Sequence, residues 1–102
     1  MFKRISITEA KRMMDESSVQ VVDVRDPLSY QAGHIPGAIN LTNESIKTFM
    51  DSASKTQPVL VCCYHGNSSQ SAAAFLNEQG FADTYSIDGG FETWKLQFPV
   101  ER

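Results

Sequence analysis

The chain has 102 residues, with nine basic and twelve acidic side chains and a formal net charge of −3. One domain, spanning 1–102, fits that length, and it is long enough to build a core without disulfide or metal staples. A composition of 41% hydrophobic and 21% charged residues excludes a disordered or fibrous chain, and the acidic balance argues against a nucleic-acid module, which neutralises phosphates with Lys and Arg.

From the N-terminus, Ser6 followed three residues later by Glu9 forms the pattern of a capping box. The segment ITEAKRMMDE behind it predicts a helix with Ala10, Met13 and Met14 on one face. Val19, Val21, Val22 and Val24 make a β-branched run that predicts a buried strand. Asp26-Pro27 opens a short helix that Gly33 ends, Pro36-Gly37 marks a turn, and Ala38 to Leu41 reads as a short strand. Thr42 or Asn43 is placed to cap a helix carrying Ile46, Phe49 and Met50. Pro58 introduces the most apolar strand, PVLVCC. A polar loop and a helix from near Ser69 to Gly80 follow. A strand over Thr84 to Ile87 and a last helix in DGGFETWKLQF complete the chain. Alternating strands and helices with short connections predict an α/β, three-layer sandwich: a mostly parallel central sheet of about five strands, flanked by helices. Ligands of such sheets sit beyond the carboxyl ends of strands, so the end of PVLVCC is the place to seek a site.

The longest apolar run, Val59 to Tyr64, is far short of the roughly 20 residues that span a bilayer. The N-terminal segment lacks the apolar stretch of a signal peptide. No membrane association and a cytoplasmic location are expected. The only cysteines, Cys62 and Cys63, are adjacent. A bond between neighbours is strained and closes a negligible loop. Neighbours on a strand also point to opposite faces, so the pair is a poor chelate even with His34 and His65 in the sequence. Neither a disulfide scaffold nor a metal site is expected.

Most free cysteines are inert packing residues, and Cys62, facing the core, fits that description. Cys63 is placed differently. It is followed by Tyr64, His65, Gly66, Asn67 and Ser68, with Ser69 opening the helix. Gly66 and Asn67 are the residue types that best tolerate positive φ. A tight loop of this kind turns successive N–H groups inward as an anion-binding nest, and the helix N-terminus adds positive potential. A thiol in that cradle is expected to ionise readily and act as a nucleophile.

Three motifs resemble the rhodanese superfamily in order and spacing, together covering nearly the whole chain: DVRDPLSYQAGHIPGA running on to Leu41, CYHGNSSQSAAAFL from Cys63, and IDGGFETW from Ile87. Their wording is similar to single-domain bacterial thiosulfate sulfurtransferases. The resemblance implies that Cys63 accepts a sulfane sulfur as a persulfide and that Tyr64, His65, Gly66, Asn67, Ser68 and Ser69 form the loop that holds it. It also matches Asp23, Arg25 and Asp26 to polar residues near the first motif, Asp88, Gly89 and Gly90 to a closing turn, and Trp94 to a packing residue; Asp23, Arg25 and Asp26 are expected chiefly to fix structure through hydrogen bonds and an ion pair. It implies thiosulfate as donor, a thiol, dithiol or cyanide as acceptor, thioredoxin as a candidate, and no cofactor.

Unlike many relatives, this loop holds no Arg or Lys, so positive potential must come from amides and the helix terminus, with His65 either contributing or merely facing solvent. The same absence argues against a cysteine phosphatase, whose loop ends in an Arg where this chain has Ser69. A persulfide carrier fed by a desulfurase and a non-catalytic interaction domain are the remaining alternatives.

Overall fold

The computed structural model describes residues 1–102. Five strands, β1 (Lys3–Ile5), β2 (Gln20–Asp23), β3 (Ile39–Asn40), β4 (Val59–Cys62) and β5 (Thr84–Ile87), form one sheet in the order β1-β5-β4-β2-β3. Every pairing is parallel. Between the strands run α1 (Ile7–Glu16), α2 (Pro27–Ala32), α3 (Ile46–Ser52) and α4 (Ser68–Glu78), and α5 (Gly90–Gln97) follows β5.

Parallel strands need covered faces, and alternation along β4 supplies two. Leu60 and Cys62 join Ile7 and Ala10 of α1 and Phe91 and Trp94 of α5 in one apolar layer. Val59 and Val61 join Phe49 of α3 and Ala73 and Leu76 of α4 in the other. All four β4 residues are buried, because β4 lies between β2 and β5 at the sheet centre. No helix is long and apolar enough to cross a membrane.

Local signals account for three helix ends. The Ser6 hydroxyl accepts the Glu9 amide at 3.1 Å, but only half of the capping box forms, since the Glu9 carboxylate pairs with Arg12 instead. Asp26 caps α2 by accepting the Ser29 amide at 3.1 Å, with Pro27 at the first helical position. Helix α4 ends as expected at Gly80 (φ 104°): the Gly80 amide donates to Asn77 and the Phe81 amide to Leu76, a Schellman closure.

Three expectations shift. Thr42 caps a turn and not the helix itself. Its hydroxyl accepts the Glu44 and Ser45 amides, and α3 starts only at Ile46, with Ser45 as its cap residue. The strands around Val19–Val24 and Ala38–Leu41 are each shorter than their apolar runs. Strand β1 was not anticipated: KRI has three residues, two of them charged, and carries no periodicity. It forms because β5 offers an otherwise free edge, with Arg4 opposite Ser86.

Candidate active site

Cys63 stands one residue past β4, at the carboxyl end of the central strand. Its side chain follows the β4 alternation to the α4 side, opposite to Cys62. The residue is only 2% exposed, yet two amides donate to its sulfur, Gly66 at 3.1 Å and Ser69 at 3.2 Å, and the Ser69 hydroxyl oxygen lies 3.2 Å away, accepting from the thiol and placed to donate once the sulfur is ionised. Burial pushes the thiol up. The hydroxyls of Ser69 and Ser68 and the amides of Ser69 and Gly66 outweigh it, so the net displacement is downward. Ser69 sits in the first turn of α4, where the helix dipole acts in the same direction.

The amides face inward because the carbonyls are held elsewhere. The Cys63 carbonyl accepts the Phe91 amide at 2.8 Å and the Tyr64 carbonyl accepts the Glu92 amide at 3.1 Å, both donors in the first turn of α5. The Gly66 carbonyl accepts Gln70 Nε2 at 2.9 Å. Gly66 is the one loop residue with positive φ (91°). A Cβ there would lie 2.9 Å from the Gly89 nitrogen and 3.1 Å from the Ile87 carbonyl oxygen. Asn67, expected to share this role, has φ −93° and stands as the residue before α4, because one reversal at Gly66 already turns the chain into the helix. Gly90 (φ 59°) is packed closer still: a Cβ would meet the Cys63 and Tyr64 carbonyl oxygens at 2.5 Å. The closing turn Asp88-Gly89-Gly90 is therefore the back wall of the loop. The GG pair in the sequence was the signal for that role.

The other loop side chains divide. Tyr64, His65, Asn67 and Ser68 are exposed. The Tyr64 hydroxyl reaches the Asp26 carboxylate and lies 2.9 Å from Ser29 Oγ, tying the loop to the start of α2. With Tyr64 as the main cause and Ser29 the next, the Asp26 carboxyl is lowered to about 2. Asp23 and Arg25 form a buried pair: Arg25 Nη2 lies 2.7 Å from Asp23 Oδ2 and 2.7 Å from the Gly33 carbonyl, and the guanidinium stacks 4.2 Å from the Phe91 ring centroid. Its apolar floor is thus the helix whose amides hold the loop. Cys62 lies in the opposite layer, where burial first and the Asp23 carboxylate second push its thiol up. His34 is buried, stacked on Tyr30, and remote in contacts from the loop.

Ser86 was missed by the sequence reading. It is fully buried on β5, and its Oγ lies 2.7 Å from Ser69 Oγ. Nothing in TYSI distinguishes it from an ordinary strand serine. Two depressions flank the loop. One of about 610 Å³ reaches Ser68 and runs past Asp26, Asn43 and Phe75. The other, about 320 Å³, lies beside Tyr64, Glu92 and Lys95.

A wholly parallel α/β sandwich with a cysteine cradled by amides at the end of its central strand is an arrangement whose backbone dipoles favour negative charge on that sulfur. The match to the Rhodanese-like domain over residues 6–97 identifies the class of protein, and the chain belongs to the rhodanese family. It is 56% identical over 100 residues to the thiosulfate sulfurtransferase GlpE of Pseudomonas entomophila (strain L48), covering 98% of this chain and 91% of the relative. The GlpE protein of Pseudomonas putida (strain F1 among its sources) is 52% identical over the same coverage. Among solved structures, the rhodanese-like domain of the Anabaena sp Alr3790 protein superposes with a TM-score of 0.87 at 26% identity, covering 99% of this chain and 80% of that one. A rhodanese-like domain protein from Staphylococcus aureus does so with 0.79 at 30% identity, covering 91% of each.

Proposed function

We propose that residues 1–102 act as one thiosulfate sulfurtransferase domain with Cys63 as its nucleophile. The Cys63 thiolate attacks the outer sulfur of thiosulfate. The S–S bond breaks, sulfite leaves with the bonding pair, and Cys63–S–S⁻ remains. A thiol or dithiol, thioredoxin included, or cyanide then attacks the outer sulfur, and Cys63 leaves as the thiolate. With cyanide the product is thiocyanate; with a thiol it is the acceptor's persulfide. Splitting one transfer into two displacements predicts ping-pong kinetics. The chain's own donors carry the charge: the Gly66 and Ser69 amides and the Ser69 hydroxyl stand where negative sulfur develops. No step calls for a metal or organic cofactor.

The observation that carries this reading is the cradle of two amides and one hydroxyl around the buried Cys63 sulfur. It favours an enzyme over a non-catalytic interaction domain, which has no use for an activated thiol. The test is mass spectrometry of the protein with excess thiosulfate and no acceptor. One sulfur atom, about 32 Da, should add per chain, with an equal amount of sulfite released, and cyanide should remove it. Turnover with no adduct would reject the double displacement. An adduct formed from a desulfurase's persulfide but never from thiosulfate would make the chain a carrier.

A further inference from the structure

The Ser69 hydroxyl has two neighbours, the Cys63 sulfur at 3.2 Å and Ser86 Oγ at 2.7 Å. Ser86 has one, Ser69, and both serines are wholly buried. A hydroxyl has one proton to donate. If Ser69 gave its proton to Ser86, the Ser86 proton would be left in the core without an acceptor, and buried donors left unpaired are costly. The arrangement that pairs both protons runs Ser86 to Ser69 to sulfur. A protonated Cys63 donating to Ser69 would reverse the chain and strand the Ser86 proton.

We propose that Ser86 is a positioning residue: its hydroxyl donates to Ser69 and commits the Ser69 proton to the Cys63 sulfur, so that a two-link hydroxyl relay from β5 favours the anionic form of the nucleophile. This deepens the sulfurtransferase reading and rests on its choice of nucleophile. Ser86 comes to the site through β-alternation. Tyr85 and Ile87 face the α1–α5 layer, which sends Ser86 to the α4 side, beside the first turn of α4. The charged groups on neighbouring elements are engaged elsewhere: Asp23 with Arg25, Asp26 with Ser29 and Tyr64, Asp88 with Arg4, and Glu92 with Lys95. His65 is exposed and Cys62 faces the other layer. None of them substitutes for the relay.

The test is the pH dependence of Cys63 alkylation by iodoacetamide, which reads the thiolate without thiosulfate or turnover and so stands apart from the test of the sulfurtransferase reading. Donors in a chain strengthen one another by a modest fraction, so Ser86→Ala should raise the alkylation midpoint by about 0.5 unit. Ser86→Thr, which keeps the hydroxyl, should restore it. Ser69→Ala should raise it by about one unit or more, and the double variant should match Ser69→Ala alone. Circular dichroism establishes that each variant is folded. An unchanged midpoint in folded Ser86→Ala would overturn the proposal. So would a Ser86→Ala shift that persists in the Ser69→Ala background, which would mean that Ser86 acts by packing and not through Ser69.

Discussion

Cys62 and Cys63 are neighbours in the chain and identical in chemistry, yet they occupy opposite electrostatic worlds. Cys62 is the last residue of β4 and lies in the α1–α5 layer among Leu60, Ile87 and Trp94. Its thiol is pushed up because the apolar layer solvates no anion and the Asp23 carboxylate repels one, which Arg25 only partly offsets. Cys63, one residue later, is turned to the α4 side and meets two amides and a hydroxyl. Burial opposes ionisation of both thiols, more strongly at the more deeply enclosed Cys62, but only Cys63 meets hydrogen-bond donors that outweigh it, and one step of strand alternation decides this. The Cys63 sulfur faces preorganised dipoles, and no cationic side chain touches it.

The broadest way to break that comparison is to remove each sulfur in turn. Cys63→Ser should lower sulfite release from thiosulfate by at least about a thousandfold, because a serine hydroxyl is scarcely ionised near neutrality and forms no persulfide. Cys62→Ala should retain activity within a few-fold and lose about 1–2 kcal/mol of stability through a small cavity, read from urea unfolding. The opposite pattern would move the nucleophile to the other face of the strand.

The next test separates the backbone from the imidazole. Gly66→Ala places a Cβ 2.9 Å from the Gly89 nitrogen at a φ of 91°, which forces the 66 amide away from the sulfur. Losing one hydrogen bond to an anion should raise the Cys63 alkylation midpoint by about one unit, with a stability loss of about 2 kcal/mol. His65→Gln should leave the midpoint within about 0.2 unit of wild type, since His65 is exposed and donates nothing to the sulfur. A large shift in His65→Gln beside a small one in Gly66→Ala would transfer the activation to an imidazolium.

The smallest expected effect concerns the far end of the loop, where Tyr64 holds Asp26. The Asp26 carboxyl is lowered to about 2, with Tyr64 its largest cause. A depressed carboxyl stabilises the fold fully above its unfolded value of about 3.9, and that contribution is lost as pH falls toward about 2. Tyr64→Phe should therefore raise the Asp26 value, visible in an NMR titration of its carboxyl carbon. The small stability deficit of the variant at neutral pH should vanish as acid protonates Asp26 in both proteins. A deficit constant down to pH 2 would mean that Tyr64 acts through packing alone.

The chain itself determined the features that depend on neighbours in sequence. The Asp26-Pro27 start of α2, the Gly80 closure of α4 and the Ser6 cap follow from dihedral and hydrogen-bonding preferences of single residues. The opposite facing of Cys62 and Cys63 follows from the period of a strand. The Gly66 reversal follows from the one residue type that holds a positive φ without strain. What required the tertiary structure was everything joined across the sheet. Strand β1 exists because β5 has an edge to pair, and no pattern in KRI announces it. The amides of Phe91 and Glu92 restrain the loop carbonyls from α5, nearly thirty residues downstream, and the Gly90 contact that permits this is visible only once the two segments meet. Ser86 reaches Ser69 because parallel pairing sets β5 beside β4 in a particular register, bringing together two hydroxyls separated by 17 residues. Local preference acts over a few residues, whereas the potential at the Cys63 sulfur is a sum over every dipole that folding brings within reach.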